Sequence, residues 1–381
     1  FDPGRQWHGS LSIVGGPDRL LEPVTKWSSR ATSPSTLYEQ VMRTGELAQR
    51  IPMGPTYLSV PIENMVHEWT PPKRPRKAPP PTRTRATDED IEVVAVALAA
   101  AENPIVQTEA AGRDKACFDA LVALCDALAL PVYENNQGKG SNFPKNNKMH
   151  QGFSIEPHLD TADVALVVRS RSPWYPPSAG PHNAQVIAID EAPLDDTMVY
   201  QSLQATSYLE GDVAITLTLL LEAVHRIGVD EAKIAERRTR LEAAHDERQA
   251  GLAATLKKVS SNDVIHPAYL ASRLSAVLPD DACFVDETTT HRITLQNFLP
   301  WDDAFKYVKV PTGLGQGLGV TLGVKLGMRD RMVVSVIGDG GFLYNPIPQS
   351  LGVARDQDLP IMIVIFNNGE YRAMKNNQLS Y

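Results

Sequence analysis

Two short apolar runs near the end of the chain restrict its fold more than any other feature. Residues 333–337 (VVSVI) and 359–366 (LPIMIVIF) are rich in β-branched side chains and bounded by turn residues. Runs of this length and composition read as buried strands, not helices. Between them, Asn345 is placed to cap a helix whose first position is Pro346 and which ends near Asp356. A strand–helix–strand crossover is right-handed, so the two strands are parallel and their carboxyl ends share one side of the sheet. Open α/β sheets bind their ligands on that side. The first strand stops at Gly338-Asp339-Gly340 and the second at Asn367-Asn368.

The rest of the chain repeats the pattern. Within the 381 residues, long enough for two or three domains, three segments stand out. Residues 1–69 include a short alternating strand, Thr56 to Val60, closed by Pro61. Residues 70–86 (TPPKRPRKAPPPTRTRA) are too rich in proline and cations to pack as a core element and read as an extended, solvated linker. Residues 87–230 alternate helix and strand: helix over 91–101, strand over 103–112 with its turn, helix over 114–128, then strands at 130–135, 162–170 and 184–193. That order predicts a parallel, helix-covered sheet. "TEAAGRD" (108–114) supplies one glycine where a dinucleotide site wants three, so FAD or NAD is not expected in this segment. Residues 231–259 read as a charged surface helix leading into the third segment, 260–381.

Composition excludes several classes. Apolar residues make up 43 % and net charge is −8, which argues against a general nucleic-acid binder. Cys117, Cys125 and Cys283 form no metal-type pair and read as reduced, cytoplasmic thiols. No apolar run reaches membrane-spanning length and no signal peptide is visible. The chain starts at Phe1, so either its start has been removed or it is part of a longer one.

The third segment carries the chemistry. Residues 281–292 (DACFVDETTTHR) form a strand ending in Asp286-Glu287 and three threonines. Residues 310–327 (VPTGLGQGLGVTLGVKLG) are a glycine-rich entry into an apolar helix, fitting neither the dinucleotide nor the P-loop pattern. The decisive pair is Asp339 and Asn368, which the crossover brings together. Carboxylate, amide oxygen and backbone carbonyl are hard ligands, suited to Mg²⁺ shared with phosphate oxygens.

The "GDG" at 338–340 followed about 30 residues later by "NN" at 367–368 resembles the metal and diphosphate motif of thiamine-diphosphate-dependent enzymes. The flanks "TGLGQGLGVTLGVKLG", "VVSVIGDGGF" and "LPIMIVIFNNGEYRAMK" are similar to the benzoylformate decarboxylase and acetolactate synthase group. The resemblance implies three parallel-sheet α/β domains: the end of a pyrimidine-binding domain (1–69), a central domain (87–230) and most of a diphosphate-binding domain (260–381). It implies Asp339, the Asn368 side chain and the Glu370 carbonyl as Mg²⁺ ligands. It also implies that Glu287, Thr288, Gly313, Leu314, Gly315, Gly338, Gly340, Gly341 and Asn368 line the cofactor. Gly340 and Gly341 would let backbone N–H groups approach the diphosphate, helped by a nearby helix start. Leu314 would be the apolar wedge beneath the rings, and the one catalytic side chain in this stretch. Ordinary helix packing for Leu314, and strand-end turn roles for Glu287 and the threonines, are the alternatives.

The implied activity is cleavage or formation of a C–C bond next to a carbonyl, as a lyase (2-oxo acid decarboxylase) or a transferase (acetolactate-synthase-like carboligase). The cofactors would be thiamine diphosphate and Mg²⁺, the substrate a small 2-oxo acid or related carbonyl compound, and the assembly a homodimer or homotetramer. An inactive or regulatory relative is the other reading. The glutamate that protonates the cofactor's aminopyrimidine is expected upstream of Phe1, since none in 1–69 has a matching context, and the closing helix of the third domain is expected beyond Tyr381. The 344–348 turn (YNPIP) lengthens the spacing between Asp339 and Asn368 and is expected to reshape a pocket wall. In 167–178 (VVRSRSPWYPPS), Pro176 falls near the place of a histidine in benzoylformate decarboxylase, and Trp174 and Tyr175 either line an apolar pocket or pack the loop.

Overall fold

The structure, a computed structural model, describes residues 15–70, 72–195, 198–311 and 313–380. Thr312 of the glycine-rich run, Tyr381 and the first 14 residues of the expected first segment lie outside them. The chain divides into two compact units, Phe1–Thr84 and Arg85–Tyr381.

The first unit holds helix α1 (Pro17–Leu21), strand β1 (Trp27–Arg30), helix α2 (Leu37–Gln49), strand β2 (Thr56–Ser59) and a turn of helix, α3 (Ile62–Met65). β1 and β2 pair in parallel, Trp27 opposite Thr56. Residues 72–86 of the proline-rich stretch have no helix or strand. They do not float free, however. Arg76 donates to Glu39 at 2.8 Å and Glu46 at 2.7 Å, and the Arg76 N–H reaches the Tyr38 hydroxyl at 2.7 Å. Glu39 and Glu46 stand two turns apart on one face of α2, so a single guanidinium spans both.

The second unit holds two sheets. The first collects β3 (Pro104–Thr108), β4 (Val132–Glu134), β5 (His150–Gly152), β6 (Val164–Val168), β7 (Gln185–Asp190) and β8 (Ser207–Glu210) with helices α4 (Asp88–Ala100), α5 (Lys115–Leu128) and α6 (Val213–Ile227). All its strands are parallel, in the order β5-β4-β3-β6-β7-β8. Alternation along β6 shows how both faces are buried. Val164, Leu166 and Val168 join the core beneath the helices with Leu121, Leu124, Leu217 and Leu220. Ala165 and Val167 point the other way, toward Ile155, Leu159, Trp174 and Leu203. That second face is covered by irregular chain. The crossovers after β6 and β7 contain Pro173, Pro176, Pro177, Pro181 and Pro193, which remove the amide donors a helix needs. The expectation of helices on the sheet therefore holds for one face.

Helix α7 (Glu231–Val259) leads to the second sheet. It is charged, as read, but not merely solvated: Ile234, Arg237, Leu241 and His245 are buried along one stripe. Arg237 donates to the carbonyls of Ala101 at 3.2 Å and Leu128 at 2.8 Å, tying down two helix ends.

The second sheet comprises β9 (Cys283–Glu287), β10 (Tyr307–Lys309), β11 (Val333–Gly338) and β12 (Met362–Phe366), parallel, in the order β10-β9-β11-β12. Its helices are α8 (Pro267–Val277), α9 (Arg292–Phe298), α10 (Gly317–Gly327), α11 (Asp339–Tyr344), α12 (Ile347–Asp356) and α13 (Arg372–Ser380). Two expectations fail here. β12 is the sheet edge, so it is not fully buried: Met362 is 36 % and Ile365 41 % exposed. Asn345 does not cap α12, which starts behind Pro346 with no side-chain cap. It is buried, and its amide donates to Glu287 instead.

Candidate active site

In the second sheet the chain runs from β9 outward to β10, then back across to β11. The strand order therefore reverses between β9 and β11, and their carboxyl ends part to form a crevice. A cleft of about 300 Å³ opens there. Of the residues singled out from sequence, Glu287, Thr288, Gly313, Leu314, Gly338, Asp339, Gly340, Gly341, Asn368 and Glu370 all line it. Gly315 is the exception among the described residues. It has φ +94°, and a Cβ there would stand 2.6 Å from the Tyr344 carbonyl oxygen, so its lack of a side chain lets the loop pass α11.

The period of two along β9 sends its last two carboxylates to opposite faces. Glu287 faces α10, where its Oε1 accepts from the Gln316 N–H at 2.9 Å and its Oε2 from Asn345 Nδ2 at 2.8 Å. Asn345 also donates to the Gly341 carbonyl at 2.8 Å and accepts from the Leu318 N–H at 2.9 Å. One buried amide thus braces the strand end, the glycine-rich helix and the turn after Asp339. Asp286 faces the core. Its oxygens accept from the Thr288 N–H and hydroxyl and from the Tyr307 hydroxyl, each at 2.6 Å. Burial raises its carboxyl above the ordinary range, against the pull of those hydrogen bonds. Neither carboxylate is left free for a ligand.

Asp339 differs. It opens α11, half-buried at the cleft wall, and accepts no hydrogen bond or ion pair from any described residue. On the neighbouring strand Gly338 pairs with Phe366, which places Asn368 beside it. The Asn368 Oδ1 accepts one N–H, from Glu370 at 3.1 Å, and the Glu370 carbonyl accepts one, from Arg372 at 2.9 Å. Each oxygen keeps a lone pair. The Glu370 side chain is held by Arg372 and Lys375. Among the described residues no three His, Cys, Asp or Glu side chains cluster as a metal site. The set on offer is one carboxylate, one amide oxygen and one peptide oxygen. That is a poor site for zinc but fits a hard cation that completes its shell with water and phosphate oxygens.

Sequence reasoning missed the brace by Asn345, the Asp286–Tyr307 bond and two parts of the wall. His291 stands 5.9 Å from the Phe366 ring, and burial lowers its pKa. The Tyr371 ring lies over Gly340, where a Cβ would meet it at 2.6 Å. Only the strand-end position of 288–292 hinted at these contacts. Trp174 is buried in the first sheet's second core and Tyr175 is 74 % exposed, so neither lines the cleft.

The first sheet has its own reversal, between β3 and β6, and fills it with its own groups. Arg169, at φ +46° just after β6, donates to Asp114 at 2.6 Å and to both oxygens of Glu191. Asp114 also caps α5 through the Cys117 N–H at 2.8 Å. Glu109 accepts from the Arg171 N–H at 3.1 Å. At Gly112 a Cβ would lie 1.8 Å from the Ser141 carbonyl oxygen.

Comparison with known proteins agrees with this geometry. Residues 287–381 match the family described as thiamine pyrophosphate enzyme, C-terminal TPP binding domain. The chain is 29 % identical over 393 residues to the probable 2-ketoarginine decarboxylase AruI of Pseudomonas aeruginosa, covering 99 % of this chain and 66 % of that protein. It is 25 % identical to the acetolactate synthase of Bacillus subtilis, covering 94 % and 63 %. Its fold is that of the thiamine diphosphate-dependent 4-hydroxybenzoylformate decarboxylase of Rhodococcus jostii RHA1, with a TM-score of 0.75, 22 % identity, and coverage of 95 % of this chain and 67 % of that one. The chain is thus similar in sequence to thiamine-diphosphate-dependent decarboxylases and acetolactate synthases, and its residues 287–381 match their cofactor-binding domain. It spans just under two thirds of the length of the two curated relatives.

Proposed function

We propose that the full-length protein uses thiamine diphosphate and Mg²⁺ to cleave or form a C–C bond beside the carbonyl of a small 2-oxo acid, as a decarboxylase or an acetolactate-synthase-like carboligase. One observation carries the reading: Asp339 is a half-buried carboxylate with no hydrogen-bond or ion-pair partner among the described residues, beside Asn368, at the reversal point of a parallel sheet. A cation relieves that uncompensated charge, and a diphosphate completes the cation's shell.

When bound, the cofactor supplies an electron sink for the carbanion formed by C–C cleavage. The chain's own part is placement. Asp339, Asn368 and the Glu370 carbonyl would hold Mg²⁺, and Thr288, Gly338, Gly340 and Gly341 would leave room for the diphosphate. Leu314, 42 % exposed at the cleft wall, would be the apolar wedge that sets the ring geometry. Glu287 acts from behind, holding the glycine-rich turn through Gln316.

Assembly as a homodimer or homotetramer belongs to the same proposal. A cytoplasmic setting is supported by three buried, unpaired cysteines. Among the described residues no helix is long and apolar enough to cross a membrane. Names of similar proteins make 2-ketoarginine and 4-hydroxybenzoylformate the first substrates to try. The full-length protein should be assayed with thiamine diphosphate, Mg²⁺ and a panel of 2-oxo acids, following both CO₂ and ligation products. Cofactor-dependent turnover of at least one is expected; none, with the cofactor shown to be bound, would overturn the assignment.

A further inference from the structure

Every charged group around the cleft has a partner or a proposed task, with one exception. Asp286 and Glu287 are used up internally, Asp339 faces the proposed cation site, and Glu370 binds Arg372. Arg292 also lines the cleft. Its Nη1 donates to the Gln137 Oε1 at 2.8 Å, and no described carboxylate lies within ion-pairing distance of it. Asp286 acts on it through space only, both its oxygens being taken.

The partner is built for that task. The chain around Gln137 docks onto the edge of β10 as a short antiparallel pairing: Gly140 bridges Val308, the Ser141 N–H bonds the Tyr307 carbonyl at 3.1 Å, and the Lys309 N–H bonds the Lys139 carbonyl at 3.2 Å. Gln296 fixes the Asn136 carbonyl at 3.1 Å. Lys309, only 8 % exposed, then donates to the same Gln137 Oε1 at 2.9 Å. Two cations share one neutral oxygen. Burial and the nearby Arg292 bring the Lys309 ammonium down to about 8. Such an arrangement leaves positive potential at the cleft wall that Asp286 and Glu109 oppose only through space, without an ion pair among the described residues.

We propose that Arg292, positioned by Gln137 and Lys309, is the recognition site for a second anionic group on the substrate, so that the preferred 2-oxo acid is a diacid. This rests on the reaction class proposed above. The alternative source of the anion is the cofactor's diphosphate, and sheet order separates the two. Asp339 and Asn368 follow β11 and β12, whereas Gln137, itself fixed by a hydrogen bond from Lys309, holds the Arg292 guanidinium on the β10 flank. Two strand spacings are about 10 Å. The diphosphate must stay with its cation, which leaves Arg292 facing the end of the cleft where Leu314 stands and where the substrate would react.

The test uses full-length protein loaded with thiamine diphosphate and Mg²⁺, titrated calorimetrically with glutarate and with pentanoate, which differ only in the distal carboxylate. Turnover of 2-oxoglutarate and 2-oxopentanoate is measured in parallel. Glutarate is expected to bind the tighter, and Arg292→Gln to cost it about 10–100-fold, the worth of a charged hydrogen-bonded contact, with a far smaller loss for pentanoate. Arg292→Lys should recover part of the loss, and Gln137→Ala should weaken glutarate with Arg292 still in place. No preference for glutarate, or a preference that survives Arg292→Gln, overturns the proposal. So does a loss of thiamine diphosphate affinity in Arg292→Gln with glutarate binding unchanged, because the anion would then be the diphosphate. Arg292-dependent glutarate binding without turnover of any 2-oxo acid would refute the reaction class and leave the anion site standing.

Discussion

The two sheets of the larger unit are built alike and end differently. Both are parallel, both reverse strand order once, and both part their strand ends at that point. In the six-stranded sheet the gap is closed by Arg169 with Asp114 and Glu191, by Glu109 on the Arg171 backbone, and by the Gly112 loop against Ser141. In the four-stranded sheet the corresponding gap keeps Asp339 unpaired, among the described residues, beside a cleft. Topology alone therefore nominates two sites, and the state of the polar groups chooses between them. Groups already bonded to the chain's own partners have no capacity left for a ligand; an uncompensated carboxylate does.

This contrast can be broken at the closed end first. Arg169→Ala leaves Glu191, 13 % exposed, and part of Asp114 without a counter-charge. A loss of about 3–5 kcal/mol is expected, as for other broken buried pairs, read as a lower midpoint in urea. Thiamine diphosphate affinity of the folded protein should not change. A variant of unaltered stability, or one with weakened cofactor binding, would show that the closed gap is not a structural plug.

At the open end, Leu314→Ala separates wedge from filler. Because Leu314 is 42 % exposed, stability should change little. Misplacing reacting groups by about 1 Å costs roughly 100-fold in rate, so turnover should fall by that order while cofactor affinity, held by the metal end, falls far less. Equal losses in both would make Leu314 an ordinary packing residue.

A smaller effect is expected where the two sheets meet. His150 is fully buried, and Arg248, which can only donate, bonds its Nδ1 at 2.9 Å; its Nε2 therefore donates to Glu134 at 3.1 Å. Trp301 donates to the same Glu134 at 3.1 Å, joining the sheets. Burial lowers the His150 pKa to about 4, against the opposing pull of Glu134. With the folded value below the unfolded one, the unfolded chain binds more protons between the two. The stability contributed by neutral His150 is thus complete above pH ~6.5 and is lost as the pH falls toward 4. His150→Gln, which can still donate to Glu134 and accept from Arg248, should flatten that part of the stability profile. A profile unchanged between wild type and variant would assign the acid sensitivity to other groups.

How much was legible in the sequence follows burial. β3, β6, β7, β9 and β11 were all found, being interior strands whose apolar and β-branched residues must face two cores. β5, β8 and β10 were missed. Each is a sheet edge of three or four residues with polar members, held by pairing that only the tertiary fold supplies. β12 failed in the opposite sense: its apolar composition announced a strand but not its place at the edge. The lining of the cleft was legible where polar residues follow strand ends, at Gly338-Asp339-Gly340 and Asn368. Asn345 carried a true local signal, an Asn before a proline and a helix, but its amide serves partners as far as 58 residues away in sequence. Arg292 had no local signal, because its holder Gln137 lies 155 residues earlier.

The open end of the four-stranded sheet is best tested by calorimetric titration of full-length wild-type protein and Asp339→Ala with thiamine diphosphate at saturating Mg²⁺. Removing an outer-shell partner costs a metal site roughly 10–100-fold, so loss of its one anionic ligand should exceed that, and the titration heat should vanish while the melting transition of the ligand-free protein stays in place. Equal affinity in the two proteins would mean that Asp339 holds no cofactor-bound cation and that the site lies elsewhere.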